Sequence, residues 1–267
     1  MLVPFTKAHG TGNSFIILYL PECPDITLNK HIIQFLCQYK SNDSIDGLLA
    51  ISNNERFDFK MDYYNNDGTW ETMCANGARC AGLLLYKKNI IAKKASFISG
   101  DGPHDIIIHD ENNIEVSIFP PEYTSDEIII DELSGFSINS GAKHFVVEVS
   151  EHLNWYEVGK QIRFSKYFSP HGTNVNFVQR ITNDTLKVIT YEKGIEQIMK
   201  SCGSGSVAAA YHMYKKYNLN NKLNIEVEGG QLTVHADNDW NNVWLTGPAK
   251  IIENTSIEIG EINEIGK

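Results

Sequence analysis

The chain has 267 residues, 42% hydrophobic and 21% charged, which describes a folded protein of one large domain or two smaller ones. A formal net charge of −10 argues against a polyanionic partner, because phosphate binding depends on clustered Lys and Arg. Apolar runs such as Phe15–Leu20 fall far short of a membrane span, and Met1–Lys7 lacks the basic-then-apolar order of a signal peptide. The expectation is a cytoplasmic protein that binds neither nucleic acid nor membrane. Its five cysteines, at 23, 37, 74, 80 and 202, are odd in number and unclustered, which suits a reducing compartment. No Cys-x-x-Cys or His-Glu-x-x-His spacing occurs, so no metal site is expected.

In chain order, alternating apolar residues predict a strand over 14–20, and a polar helix follows over 28–39. A second strand covers 57–64, and just after Cys74 an apolar run predicts a helix over about 77–88. Ser99-Gly-Asp-Gly102 marks a turn before strands at 105–108 and 114–119. Pro120-Pro121 then places a boundary between halves. Beyond it the pattern returns, with a strand over 144–149, a helix over 153–163 and a strand over 185–191. Cys202 is followed by a helix over 204–217 and by strands over 223–228 and 231–235.

The recurrence is also a repeat of residues. Cys74-Ala-Asn-Gly-Ala-Arg-Cys-Ala-Gly-Leu-Leu-Leu-Tyr-Lys-Lys88 overlies Cys202-Gly-Ser-Gly-Ser-Val-Ala-Ala-Ala-Tyr-His-Met-Tyr-Lys-Lys216 without a gap, at an offset of 128. Phe59–Asn65 matches Leu186–Glu192 at 127, Ser14–Ile17 matches His144–Val147 at 130, and Ser99–Gly102 matches Glu228–Gln231 at 129. Matches in one order with so little drift indicate an internal duplication. The expected fold is α+β, with two pseudo-symmetric lobes, each a curved, mostly antiparallel sheet around a central apolar helix. The expected lobes are 1–120, joined by the C-terminal segment 250–267, and 121–249.

Cys74 and Cys202 each precede a Gly-containing turn that opens a helix. Such a terminus offers backbone N–H groups and a positive dipole end. It can hold a carboxylate without Arg or Lys, and it lowers the pKa of an adjacent thiol. Gly77, Gly203 and Gly205 are expected to open the backbone to a ligand by removing Cβ atoms. One such cysteine suggests a nucleophile. Two, placed by pseudo-symmetry, suggest inversion of an amino-acid α-carbon, with one thiolate removing a proton from one face and the other thiol delivering one to the opposite face. This scheme requires no pyridoxal phosphate, metal or other cofactor. Cys23, Cys37 and Cys80 read instead as small buried hydrophobes. Gly203-Ser-Gly-Ser-Val-Ala208, with Glu226 beyond it, fits a dinucleotide fingerprint, but Glu196–Ser201 does not read as the buried parallel strand that fingerprint requires.

These residues resemble the diaminopimelate epimerase family. The resemblance is carried by His9-Gly-Thr-Gly-Asn-Ser-Phe15, Asn65-Asn-Asp-Gly68, Met73-Cys-Ala-Asn-Gly-Ala-Arg-Cys80, Gly172-Thr-Asn-Val-Asn-Phe177, Tyr191-Glu-Lys-Gly194, Ser201-Cys-Gly-Ser-Gly205, Val227-Glu-Gly-Gly-Gln-Leu232 and Thr246-Gly-Pro-Ala249. It implies a cofactor-independent epimerase that interconverts LL- and meso-diaminopimelate for lysine and peptidoglycan precursors. It also implies that Cys74 and Cys202 are the catalytic thiols and that Asn13, Asn65 and Asn174 contact substrate. By the same resemblance Glu192 is a polar active-site residue, His144 lies near the thiols, and Ala75, Asn76, Gly203 and Ser204 form the N–H cradle. A homodimer is implied by resemblance alone.

Four positions depart from the family pattern. Lys193 stands where an arginine holds the distal substrate carboxylate, keeping the charge but losing the bidentate fork. Gly141-Ala-Lys-His144 replaces Gly-Asn-Pro-His, Ser44-Ile-Asp-Gly47 shortens a glycine-rich stretch, and Ser14 stands where Asp is usual. A same-fold racemase for another amino acid, such as histidine, is the alternative.

Overall fold

A computed structural model describes residues 2–23, 26–39, 45–150 and 153–258. The chain divides into two compact units, one of Met1–Val116 with Gly247–Lys267 and one of Ser117–Thr246. Its elements begin with β1 (Leu2–Gly10), β2 (Asn13–Tyr19), α1 (Lys30–Gln38), β3 (Gly47–Ser52), β4 (Phe59–Asn65) and β5 (Trp70–Glu71). Next come α2 (Ala75–Lys87), β6 (Lys94–Ser99), β7 (Gly102–Ile108) and β8 (Ile114–Ile118). The second unit holds β9 (Glu122–Tyr123), β10 (Ile128–Ile130), β11 (Leu133–Asn139), β12 (Lys143–Glu148), α3 (Trp155–Arg163), β13 (Asn174–Arg180) and β14 (Thr185–Glu192). It continues through β15 (Gln197–Met199), α4 (Gly203–Tyr217), β16 (Lys222–Val227), β17 (Gly230–Ala236) and β18 (Val243–Gly247) before the chain returns to the first unit in β19 (Lys250–Glu258).

The two units repeat one topology. In the first, β2 and β3 pair in parallel, β3 and β4 antiparallel, β4 and β5 antiparallel, and β4 and β6 in parallel. In the second, β12–β13, β13–β14, β14–β15 and β14–β16 repeat that order of senses. A parallel pair needs a long crossover, and helices supply it here. The first parallel pair of each unit is bridged by α1 or α3, and the second connection contains α2 or α4. The pairs β6–β7, β7–β8, β16–β17 and β17–β18 are antiparallel hairpins. The duplication read from four short matches is thus a duplication of architecture, and the α+β class holds.

Local chemistry explains the elements. Asn29 caps α1 by accepting from Ile32 N–H at 3.0 Å, and Asn154 caps α3 by accepting from Glu157 N–H at 3.4 Å. In the α2 run every residue from Ala75 to Leu85 is buried, the mark of a helix enclosed by its own unit. α4 ends at Asn218, whose φ of 49° is left-handed, a conformation Asn tolerates better than other non-glycine residues. Both hairpin turns in the duplicated segments require glycine: Gly102 opens β7 at φ 136° and Gly230 opens β17 at φ 138°, a region closed to side chains. Against the first sheet, α1 buries Ile32, Ile33 and Leu36 with Val3, Ile16, Leu18 and Leu48. Against the second, α3 buries Ile162 with Phe145, Val147, Val175, Phe177 and Tyr191.

Several strands escape the periodicity reading. β3 is Gly-Leu-Leu-Ala-Ile-Ser, buried at its first five positions, so it shows no alternation. β13 is interrupted by Asn174 and Asn176, which read as turn residues. Ser44 of the Ser44–Gly47 segment and residues 259–267 lie outside the described residues.

Candidate active site

Each unit carries one helix opened by a cysteine. In the first, Cys74 is the N-cap of α2 with extended backbone (φ −136°, ψ 110°), and its Sγ accepts from Gly77 N–H at 3.4 Å. The helical ladder begins with Ala78 N–H to Cys74 O at 2.8 Å, so Ala75 and Asn76 stand ahead of it. Cys74 is partly exposed, whereas Ala75 through Cys80 are buried. In the second unit Cys202 caps α4 with nearly the same backbone (φ −128°, ψ 113°) and is likewise partly exposed. Ser206 N–H donates to Cys202 O at 3.0 Å, leaving Gly203 and Ser204 ahead of the ladder. The repeat therefore sets two thiols in equivalent positions, each at the positive end of a helix.

What surrounds them differs. Behind Cys74 runs an oriented chain of side-chain amides. Arg79 Nη2 donates to Asn76 Oδ1 at 2.6 Å, Asn76 Nδ2 donates to Asn13 Oδ1 at 2.5 Å, and Asn13 Nδ2 donates to Asp46 Oδ2 at 3.5 Å. Asp46 also accepts from Ser14 N–H at 2.7 Å, so a carboxylate reaches Ser14 from the neighbouring parallel strand entry. Asn13 and Asn76 are 5% and 2% exposed, with both ends of each amide bonded inside the unit. Asn65, at the end of β4, accepts from Tyr63 Oη at 2.8 Å and donates to Thr69 Oγ1 at 3.1 Å.

Behind Cys202 stands a histidine relay. His144 Nε2 pairs with Ser204 Oγ at 2.9 Å, and Ser204 Oγ lies 3.7 Å from Cys202 Sγ. His144 Nδ1 pairs with Asn176 Oδ1 at 2.8 Å, and Asn176 Nδ2 donates to Thr190 Oγ1 at 2.7 Å. His144 is fully buried, and burial pushes its pKa down to about 4 against a smaller opposing effect from Asn176, so it is neutral at neutral pH. Both ring nitrogens of His144 are engaged, and Ser204 stands between the ring and the Cys202 sulfur. Asn174 donates to Lys143 O at 3.0 Å and accepts from Lys193 N–H at 2.9 Å, joining the ends of β13 and β14. Glu192 is partly exposed at the end of β14, and the neighbouring Lys193 is exposed.

Gly77 and Gly205 act otherwise than expected. A Cβ on Gly77 would come within 2.8 Å of Leu49 Cδ2, and one on Gly205 would overlap the Asn176 amide. Both close a helix start onto its own sheet rather than opening backbone to a ligand. Of the other thiols Cys37 and Cys80 are buried, which pushes both to about 12, whereas Cys23, expected to be buried, is only partly so and is pushed to about 11. The segment before α4 contains β15, antiparallel to β14, so the dinucleotide fingerprint lacks its parallel strand. Among the described residues no group of three or more His, Cys, Asp or Glu is gathered to hold a metal, and no helix is long and apolar enough to cross a membrane.

Three residues central to these networks were not singled out from sequence: Arg79, Asp46 and Asn176. Arg79 had a signal, as the one charge between Cys74 and Tyr86. Asp46 and Asn176 act through strand pairings that no local pattern displays.

Comparison with known proteins agrees with this organisation. The profile of the diaminopimelate epimerase family matches residues 5–123 and 136–252. The diaminopimelate epimerase of Aquifex aeolicus is 34% identical over 262 residues, covering 91% of this chain and 93% of that protein. That of Flavobacterium psychrophilum is 35% identical over 260 residues, covering 94% and 98%. Among solved structures, a hydroxyproline epimerase from Agrobacterium vitis matches at a TM-score of 0.73 and 11% identity, covering 96% of this chain and 92% of that one. A Bacillus anthracis phenazine biosynthesis protein of the PhzF family matches at 0.72 and 12%, covering 97% and 99%. The two structures share the fold, and the sequence relatives carry the assignment: this chain is a member of the diaminopimelate epimerase family.

Proposed function

We propose that the protein inverts one α-carbon of diaminopimelate, interconverting the LL and meso forms, with Cys74 and Cys202 as acid and base. The observation that carries this reading is the pair of partly exposed cysteine caps at duplicated helix starts, in a chain of this family. Inversion requires a base on one face of the carbon and an acid on the other. A thiolate takes the α-proton, the carbanion-like charge spreads onto the substrate carboxylate, and the second thiol gives its proton to the opposite face. The helix starts at Ala75–Asn76 and Gly203–Ser204 supply N–H dipoles of the sign that charge needs. Asn13, Asn65, Asn174, Glu192 and Lys193 are the polar side chains that would contact the substrate. Lys193 offers a single point charge there in place of a fork.

The test is incubation of the purified protein in D2O with LL-diaminopimelate and, separately, with L-histidine. The reading expects deuterium at the α-carbon of diaminopimelate and growth of the meso form. Exchange into histidine with none into diaminopimelate would overturn it.

A further inference from the structure

Glu192 and Lys193 stand in a turn whose backbone is strained. Gly194 (φ 92°) and Glu196 (φ 57°) are both left-handed, a conformation that glycine adopts freely and glutamate does not. Bonds to the turn hold it in that shape. Lys193 N–H donates to Asn174 Oδ1 at 2.9 Å, Gly194 N–H to Glu196 Oε1 at 3.0 Å, and Glu196 N–H to Glu192 O at 2.8 Å. The same Glu196 Oε1 accepts from Arg163 Nη2 at 3.0 Å. The Glu196 carboxylate is thus folded back onto its own turn and gripped there by a side chain of α3.

Arg163 reaches the turn because of how α3 packs. Tyr156, Gly159 and Arg163 share one face of the helix by their spacing. The Tyr156 ring meets Tyr191 edge-on at 5.7 Å between centroids, and a Cβ on Gly159 would come within 2.6 Å of Tyr191 Cβ. Gly159 therefore lets α3 lie close on β14, which carries Arg163, one turn further on, to the turn that follows that strand. The last turn of a helix also favours a cation. The side chains of Arg163 and Glu196 are 12% and 33% exposed, so water screens this pair less than it does an ion pair on the open surface.

The guanidinium also lies against a second segment. Gly172 is left-handed (φ 67°), and Arg163 Nη1 occupies the space its Cβ would need. Gly172 opens the short run that leads to Asn174, the residue whose side chain accepts from Lys193 N–H. One side chain from α3 thus backs the approach to Asn174 and holds the carboxylate that orders Glu192–Gly194.

Building on the proposed reaction, we infer that Arg163 is a positioning residue for substrate recognition: through Glu196 it sets the Glu192–Gly194 turn against Asn174 and so fixes how the end of the substrate away from the reacting carbon is held. The cysteine caps belong to α2 and α4, so losing the Arg163–Glu196 pair weakens binding of substrate more than it slows proton transfer.

The test joins kinetics on LL-diaminopimelate to amide hydrogen exchange measured without substrate. Arg163→Gln should raise KM about tenfold and leave kcat within about threefold, while Arg163→Lys, which keeps the charge, should hold KM within about threefold of the unaltered protein. In Arg163→Gln the peptide over 192–197 should exchange about tenfold faster, with the peptide over α4 unchanged. Glu196→Gln keeps the shape of the side chain and should move both readouts in the same direction by a smaller factor. KM unmoved in both Arg163→Gln and Glu196→Gln would overturn the inference, as would a fall in kcat at constant KM. So would unchanged exchange over 192–197, a readout that needs no turnover. The proposed reaction fails on the unaltered protein in D2O, whereas this inference fails only on the variants.

Discussion

The helix starts at Cys74 and Cys202 share a backbone and almost nothing else. Their capping angles agree to within about 10°, and the strand pairings behind them run in the same order. Around Cys74 the side chains form a charged system, with Arg79 at one end of an amide chain and Asp46 at the other. Behind Cys202 neutral His144 stands between Ser204 and Asn176. Where the first unit has Ser14 and Arg79, the second has His144 and Val207. Duplication kept the scaffold that caps a helix with a thiol, while the side chains behind each cap diverged.

The comparison breaks most sharply at the sulfurs. Cys74→Ala and Cys202→Ala should each slow inversion of diaminopimelate by about a hundredfold to ten-thousandfold, the range for loss of a general acid or base. Chiral chromatography of the product checks this, and turnover retained in either variant would mean that one thiol suffices.

Acid should strain the second unit through two histidines. Burial lowers both His144 and His212 to about 4, below the ordinary 6.5, so the unfolded chain binds more protons than the folded one between those values. Stability is then full above about pH 6.5 and falls as pH drops toward 4, by about 2 kcal/mol per histidine by about pH 5. Urea midpoints across this range measure the loss. An NMR titration showing the His144 ring charging near 6.5 would contradict the assignment.

Equivalent positions should answer unequally to truncation. His144→Ala leaves Ser204 and Asn176 facing a void and should cost about 3 kcal/mol. Ser14→Ala, its counterpart, keeps the backbone bond to Asp46 and should cost under about 1 kcal/mol. Similar losses in urea melts of the two variants would say that the units are more alike than their hydrogen bonds suggest.

The smallest contrast lies in the glycines. Gly205→Ala drives a methyl into an amide pinned by His144 and Thr190, whereas Gly77→Ala meets the movable end of Leu49. About 2 kcal/mol is expected for the first and about 1 kcal/mol for the second, read from thermal unfolding.

Much of this was legible in the chain. The four helices were placed within two residues at each end, because each follows an Asn or Cys cap and two carry runs of Ala and Leu. The duplicated cysteines were visible because the Gly-rich turn after each left a gapless match. Other parts depend on distance in the fold. Asn13 and Asn76, 63 positions apart, are linked side chain to side chain, a contact that neither motif displays. His144 and Ser204 are 60 positions apart, and nothing local to either announces that they meet. Strands β3 and β13 were missed because full burial erases alternation in one and asparagines interrupt the other.

The pairing of β1 with β19 joins Leu2 to Glu258 and runs in register to Lys7 and Glu253 before a bulge. A ribosome makes β19 long after β1. The second unit, one continuous stretch from Ser117 to Thr246, has all its strands before β19 emerges, whereas the first must hold β1 with an open edge until then. Synthesis therefore sets an order of completion opposite to the order of the sequence: the unit begun first is the last to close.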